Sequence, residues 1–420
     1  MARLVYSLIL YLGSPLVWLR LLWRSRRQPE YLRHLGERWG FYGQRPEKPC
    51  IWVHAVSVGE TRAAQPLVEA LLAAWPEHAL LLTGMTPTGR EAGRQVYSDR
   101  VIQAYLPYDY PGAMKRFLRH FRPRFGILME TEVWPNLLAA AQASGVPVAL
   151  ANARLSERSA RGYARFGVLA RPAFGALTAV AAQTEADAVR LRELGARRVE
   201  VCGNLKFDVT PPTDKIELGR QWRAGLGGRP VWLAASTREG EEPLILQAYA
   251  RLAGPDALLA LVPRHPQRFD EVAALVDQAG LAMERRSRGL PGPATRVWLG
   301  DSMGEMAAYY TLADVAFIGG SLLPLGGQNL IEAAACGCPV LIGPHTFNFT
   351  QATEDAIASG AARRVADAKE LGEQVDALLQ DRLQLDEMRK AATAFAAAHR
   401  GATARTLALI SRLPTNPARH

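Results

Sequence analysis

The chain has 420 residues, 49% of them apolar and 21% charged, with 36 Gly and 27 Pro. That length asks for two domains, or three, of ordinary size. The balance excludes a disordered, fibrous or low-complexity chain. Lys and Arg outnumber Asp and Glu by 50 to 40, a net charge of +10.

Residues 1–48 hold nine of those cations against Glu30, Glu37 and Glu47. A nucleic-acid binder spreads its basic residues over a folded face, so no nucleic-acid partner is expected. The same segment is apolar. Fifteen of the 20 residues from 4 to 23 are apolar, the exceptions being Ser7, Gly13, Ser14, Pro15 and Arg20. Twenty residues as a helix reach about 30 Å, one hydrocarbon core. Arg24, Arg26 and Arg27 follow and would keep the rest of the chain on the cytoplasmic face of an inner membrane. No small-residue cleavage site follows, so a secretory signal fits poorly. Pro15, Arg20, Trp18 and Trp23 also suit a helix lying in the headgroup layer. The two readings, spanning and surface-lying, both place an N-terminal membrane anchor at residues 1–28. The anchor is expected to hold the protein to the membrane without a part in chemistry.

From residue 50 onward, short β-rich runs alternate with helix-length segments. The first series is 50–56, 79–84, 101–106, 125–130, 146–151, 177–182 and 199–203. The second is 231–235, 257–262, 297–299, 315–318, 339–342 and 362–365. Alternation of this kind predicts parallel sheets with helices on both faces, an α/β class. The Pro-rich stretch Asp208-Val-Thr-Pro-Pro-Thr-Asp214 reads as a break between the two series. The expected domains are therefore 29–207 and 219–420, joined by a linker at 208–218, each a doubly wound, Rossmann-like sheet. Ligands in such sheets bind beyond the carboxyl ends of the strands, so a cleft faced by both domains is expected. The four cysteines are sparse and suggest a reducing compartment. Cys336-Gly-Cys338 is too close-set for a zinc pair.

Four segments stand where a strand hands over to a helix: 52–60, 130–136, 301–305 and 319–329 running into Glu332. Gly84-Met-Thr-Pro-Thr-Gly89 has P-loop spacing, but Arg90 stands where the motif requires Lys and Glu91 where a hydroxyl should hold Mg²⁺. Ala55-Val-Ser57-Val-Gly59 lacks the first Gly of a nucleophile elbow. Ser57-Val-Gly-Glu60 is a capping box, and its Glu60 is either a plain cap or a carboxylate able to accept a proton. The helix N-terminus should lower the pKa of Glu60. Ser302-Met-Gly-Glu305 repeats the pattern, and its helix would present N–H groups to an anion. Pro263-Arg264 and Lys206 add cations at strand ends. Glu332 could accept hydrogen bonds from a ribose diol. No Asp-x-Asp occurs, so no metal and no cofactor are expected. A leaving group would then be neutralised by protein cations. Two arginine-rich stretches, 115–124 and 154–165, are either solvated faces or contacts with anionic headgroups.

These stretches resemble the Kdo (3-deoxy-D-manno-octulosonic acid) transferases of lipopolysaccharide synthesis. The matching segments run in order from His54-Ala-Val-Ser-Val-Gly-Glu60 through Met129-Glu-Thr-Glu-Val-Trp-Pro-Asn136, Ala151-Asn-Ala-Arg-Leu-Ser156, Leu205-Lys-Phe-Asp208, Val262-Pro-Arg-His-Pro266 and Met303-Gly-Glu305 to Gly343-Pro-His-Thr-Phe-Asn-Phe349. The resemblance implies the two-domain GT-B glycosyltransferase fold, the donor CMP-Kdo and a lipid A precursor as acceptor. It implies an inverting transfer with Glu60 as catalytic base, assisted by Glu130 and Lys206. CMP would be held by Pro263, Arg264, Met303, Gly304, Glu305, Asn329, Leu330, Ile331 and Glu332. The chain departs from the family pattern at Gln328, Leu330 and Arg238. A sugar-nucleotide 2-epimerase of the same fold is the alternative, against which the membrane segment speaks.

Overall fold

Each of the apolar runs becomes a parallel strand in the computed structural model, which describes residues 1–43, 45–252 and 256–414. The chain separates into two units, Met1–Val209 with the chain from Arg400 onward, and Thr210–His399.

The first unit carries β1 (Cys50–His54), β2 (Ala79–Gly84), β3 (Ile102–Tyr105), β4 (Gly126–Met129), β5 (Val148–Ala153), β6 (Ala179–Ala182) and β7 (Val199–Val201). They pair in the order β3-β2-β1-β4-β5-β6-β7. Every residue of β1, β4, β5 and β6 is buried, as a sheet covered on both faces requires. Trp52 of β1 lies across from Gly126 of β4. A Cβ at Gly126 would stand 2.4 Å from the indole, so glycine makes room for the largest core side chain.

The second unit carries β8 (Val231–Thr237), β9 (Leu258–Pro263), β10 (Met283–Arg285), β11 (Val297–Leu299), β12 (Val315–Ile318), β13 (Val340–Ile342) and β14 (Ala362–Arg364), in the order β10-β11-β9-β8-β12-β13-β14. The edge strand β10 escaped the sequence reading because Met-Glu-Arg has no apolar run to betray it.

Three boundaries differ from expectation. The second domain does not extend to the end of the chain. The helix Ala402–Ser411 belongs to the first unit, where Ala402, Leu409 and Ile410 share a core with Ile51, Val53 and Leu67. Asp208 holds its start, accepting from the backbone N–H of Gly401 at 2.7 Å and of Thr403 at 2.5 Å. The connection is also shorter than 208–218. The helix Thr213–Gly225 already packs in the second unit, and a Cβ on its Gly219 would meet the Ala308 carbonyl at 2.4 Å.

The third difference is the N-terminus. The run from 4 to 23 is not one helix but two, Ala2–Leu12 and Ser14–Ser25, bent by 48° at Gly13. Pro15 sits in the first turn of the second helix, where its missing N–H costs nothing and where a new helix starts readily. Among the described residues no single helix is long and apolar enough to cross a membrane. One face of the pair packs on the first unit: Trp18 stacks on Trp39 at 5.5 Å, and Tyr110 donates to the Leu10 carbonyl at 3.2 Å.

Candidate functional site

In a sheet ordered 3-2-1-4, neighbouring strands β1 and β4 send their connections to opposite faces, and a crevice opens at their carboxyl ends. Glu60 follows β1 and Glu130 follows β4, so the sheet itself brings these two expected residues to one edge. Ser57 caps the helix Val58–Ala63 through the Glu60 N–H, as the capping box requires. The cap does not account for the rest of Glu60. Its carboxylate accepts from the Val56 N–H at 2.9 Å and from the Ser57 hydroxyl at 2.9 Å. Burial pushes its pKa up to about 7; the negative charges of Glu130 and Glu132 push the same way, against the two hydrogen bonds. The expected lowering by the helix N-terminus is therefore overturned. The helix has six residues, and desolvation with two like charges outweighs so small a dipole.

Glu130 is held in the left-handed region, φ +57°, a conformation that costs a non-glycine residue roughly 1–3 kcal/mol and that marks functional turns. Its N–H donates to the Ala151 carbonyl at 2.9 Å, and its carboxylate lies 3.9 Å from the Lys206 ammonium. Burial lowers the Lys206 pKa, and the Glu130 charge opposes that. Glu132 is raised by burial and by Glu130, and accepts from the Trp134 indole at 2.8 Å.

Asn152 stands in the matching stretch 151–156, but the sequence assigned it no role. It is fully buried, sits at φ +53° in β5, and its side-chain oxygen accepts from the Leu205 N–H at 3.0 Å. Leu205 opens the short 3-10 turn Leu205–Asp208 that carries Lys206, so Asn152 fixes where that lysine stands. His54, beneath the site, is fully buried and pushed down to about 3 by burial. It is neutral at pH 7 and serves as packing for Trp134, whose ring meets it edge-on at 5.6 Å.

In the second unit the corresponding switch lies between β8 and β12. The loop after β12, residues 319–322, is tied down by Glu241. This carboxylate is fully buried and accepts from the N–H groups of Gly320 at 2.5 Å, Ser321 at 3.0 Å and Leu322 at 3.1 Å, and of Arg238 at 2.9 Å. Sequence reasoning missed it, because a Glu in a helix's first turn looks like an ordinary partner of the dipole. The paired Glu242 is equally buried and binds Arg268 at 2.6 Å.

The expected CMP-binding residues share this sheet edge. Pro263 ends β9, and the Arg264 N–H donates to the Thr237 carbonyl at 3.0 Å. Arg238, Arg264 and Arg268 surround His265, whose pKa is lowered first by burial and then by those three charges. Asn329 accepts from the Ile331 N–H at 3.1 Å, just before the helix Ile331–Ala335 in which Leu330 is the N-cap and Glu332 the first-turn acid. One expectation fails here. The helix after β11 starts at Met306, with Glu305 itself at the N-cap. The Glu305 carboxylate is taken up by the Ser302 hydroxyl and by Arg286 at 3.1 Å. Met303 and Gly304 thus form an exposed turn and not the anion-receptive helix start that a Ser302 capping box would give.

A family model described as 3-deoxy-D-manno-octulosonic-acid transferase matches residues 33–209, and one described as glycosyl transferases group 1 matches residues 244–395. A 3-deoxy-D-manno-octulosonic acid transferase of Bordetella pertussis is 50% identical, over 97% of this chain and 98% of its own. One of Haemophilus influenzae is 37% identical over 98% of both chains. Among solved structures, a glycosyltransferase of Rickettsia africae matches 88% of this chain and 99% of its own with a TM-score of 0.59 at 12% identity. A putative UDP-N-acetylglucosamine 2-epimerase of Listeria monocytogenes matches the same shares with a TM-score of 0.58 at 16% identity. Those two likenesses show the GT-B fold and do not separate transferase from epimerase; the sequence identities do.

Proposed function

The chain belongs to the Kdo transferase family of glycosyltransferases, and from that premise we propose that it moves Kdo from CMP-Kdo to a lipid A precursor by a single inverting displacement, with Glu60 as base. The observation that carries the proposal is the group Glu60, Glu130 and Lys206 at the β1/β4 switch point. A carboxyl with a pKa of about 7 is poised to take a proton at neutral pH.

In this reading an acceptor hydroxyl gives its proton to Glu60 as its oxygen bonds to the anomeric carbon of Kdo. The bond from that carbon to phosphate breaks, and CMP leaves with the electron pair as a phosphate monoester. Glu130 and Lys206, 3.9 Å apart, form an ion pair whose positive end is available to charge developing in the transition state. In the second unit, Arg264 and the loop after β12 hold the CMP group, with Pro263, residues 303–305, Asn329, Leu330, Ile331 and Glu332 along the same edge. Glu332 is suited to the ribose hydroxyls. Gln328, Leu330 and Arg238 alter contacts to the donor and leave the reaction untouched.

The same proposal places the protein on the cytoplasmic face of the inner membrane. Leu4, Leu8, Leu12, Leu16, Leu19 and Trp23 are each at least half exposed on the bent helix pair. Phe166 and Val168, 71% and 80% exposed, follow a helix, Glu157–Arg165, with no buried residue and with Arg158, Arg161 and Arg165 in solvent. Apolar side chains beside arginines suit the boundary of an anionic bilayer, and a bent pair with one face docked suits lying on the surface over spanning it.

Incubation with CMP-Kdo and a lipid A precursor tests the proposal. Release of CMP together with a lipid heavier by Kdo is the expected outcome. CMP-Kdo left intact by a folded, CMP-binding protein would refute it.

A further inference from the structure

The first N-terminal helix touches the helix that follows the loop bearing two of the site carboxylates, and it does so through polar groups that a simple anchor has no need of. The helix Pro135–Ala143 follows the Glu130–Glu132 turn and has no cap of its own. Its cap comes from elsewhere in the chain. Asp109, 7% exposed, accepts from the Asn136 N–H at 3.0 Å with one oxygen and from the Leu137 N–H at 2.8 Å with the other. The Asn136 amide returns a bond to the Asp109 carbonyl at 2.7 Å. Two residues of the first helix then close the group. Tyr6 donates its hydroxyl to Asp109 at 3.1 Å, and the Ser7 hydroxyl shares its proton between the Arg3 carbonyl of its own helix at 2.8 Å and the Asn136 side-chain oxygen at 3.1 Å. Ser7 and Asn136 are buried, at 8% and 3% exposure.

Polar groups buried together in this way are fixed by their partners, and each bond left unmade costs about 1–3 kcal/mol. A helix that needs only to present leucines to lipid has no need of a tyrosine hydroxyl set against a carboxylate and a serine hydroxyl buried against an amide. The turn from Glu130 to Trp134 is five residues long. Its start is fixed by β4 and the bond from Glu130 to Ala151, and its end is fixed by Asp109. A shift at the second point moves Glu130 and Glu132, and a misplacement of about 1 Å at such a site costs on the order of a hundredfold in rate.

We propose that Tyr6, Ser7, Asp109 and Asn136 are positioning residues, through which the N-terminal helices hold the Glu130–Glu132 turn in its working place. The segment expected to be a passive anchor thus supports turnover as well. This rests on the reading of Glu60 and Glu130 given above.

The test is the double variant Tyr6→Phe, Ser7→Ala, which keeps the ring and the helix and removes the two donors. It is assayed on detergent-dispersed acceptor, where membrane attachment plays no part. Expected are a fall in kcat of about tenfold with the KM for CMP-Kdo unchanged, and faster hydrogen exchange at the Asn136 and Leu137 amides. The acid limb of the rate profile should also move to lower pH, because Glu130 and Glu132, the like charges that add to burial in raising Glu60, are held less closely while Lys206 stays on its own turn. A double variant with parental kcat and an unmoved acid limb would overturn the proposal. A separate Glu130→Gln protein keeps the two readings apart. If it turns over like the parent, the catalytic reading of the turn fails, and the positioning role fails with it even where the amides exchange faster.

Discussion

Glu60 shows how far a single residue could be read without the fold. Ser-x-x-Glu before a helix announces a cap, and the cap is there. The sequence around residue 60 holds no sign of Glu130 and Glu132, which β4 delivers to the same edge, and so the pKa was expected to fall where burial and those charges raise it to about 7. The sign has a consequence. A base works only when deprotonated, so kcat/KM should rise with pH through about 7 and level off above it. A pH–rate profile whose acid limb lies near the ordinary carboxylate range, about 4, would contradict this environment for Glu60. Glu241 was illegible for a related reason: three of the four N–H groups it binds lie about 80 residues away. Glu241→Ala strips a partner from four backbone donors, at about 1–3 kcal/mol for each that stays buried. The variant is expected to melt well below the parent and to bind CMP at least tenfold more weakly. Calorimetry and CMP titration measure both, and a parental affinity would remove the Gly-Gly loop from the donor site.

At the scale of elements, the strands were legible because parallel strands buried on both faces read as apolar runs, and the exception, β10, is a polar edge. The broken N-terminal helix was half legible, since Pro15 already interrupted the run, but the docking of Trp18 on Trp39 and of Tyr6 on Asp109 has no local signature. The helix Glu157–Arg165 packs only Ala160 and Tyr163, each partly buried, on the core, and its arginines could be described from the sequence only as a solvated face or a headgroup contact. Arg158, Arg161 and Arg165 together replaced by Gln should weaken binding to vesicles rich in phosphatidylglycerol, by about 1 kcal/mol per residue near the surface. The loss should shrink as salt rises and screening shortens the reach of each charge. Co-sedimentation at low and high salt decides it, and equal binding by parent and variant at low salt would assign this helix to solvent.

The whole chain is organised as two units, with one return that no local pattern announces. The helix Ala402–Ser411 completes the core of the first unit after the second has been made. Burial of Leu409 and Ile410 stabilises that unit by about 1.5–3 kcal/mol each. A chain ended at His399 should therefore lose the cooperative melting of its first unit and keep that of the second, which differential scanning calorimetry resolves. Two intact parental transitions would show that the return is dispensable. The two-domain glycosyltransferase fold and the family were legible in the order of motifs along the chain. The proposed mechanism of Kdo transfer turns on Glu60, and its most direct measurement is turnover of CMP-Kdo and a lipid A precursor by Glu60→Gln at saturating acceptor. Loss of a general base typically costs about 10²–10⁴ in rate, so the account expects a folded, CMP-binding protein whose transfer falls at least about a hundredfold. Near-parental turnover would contradict it and leave Glu60 as a cap.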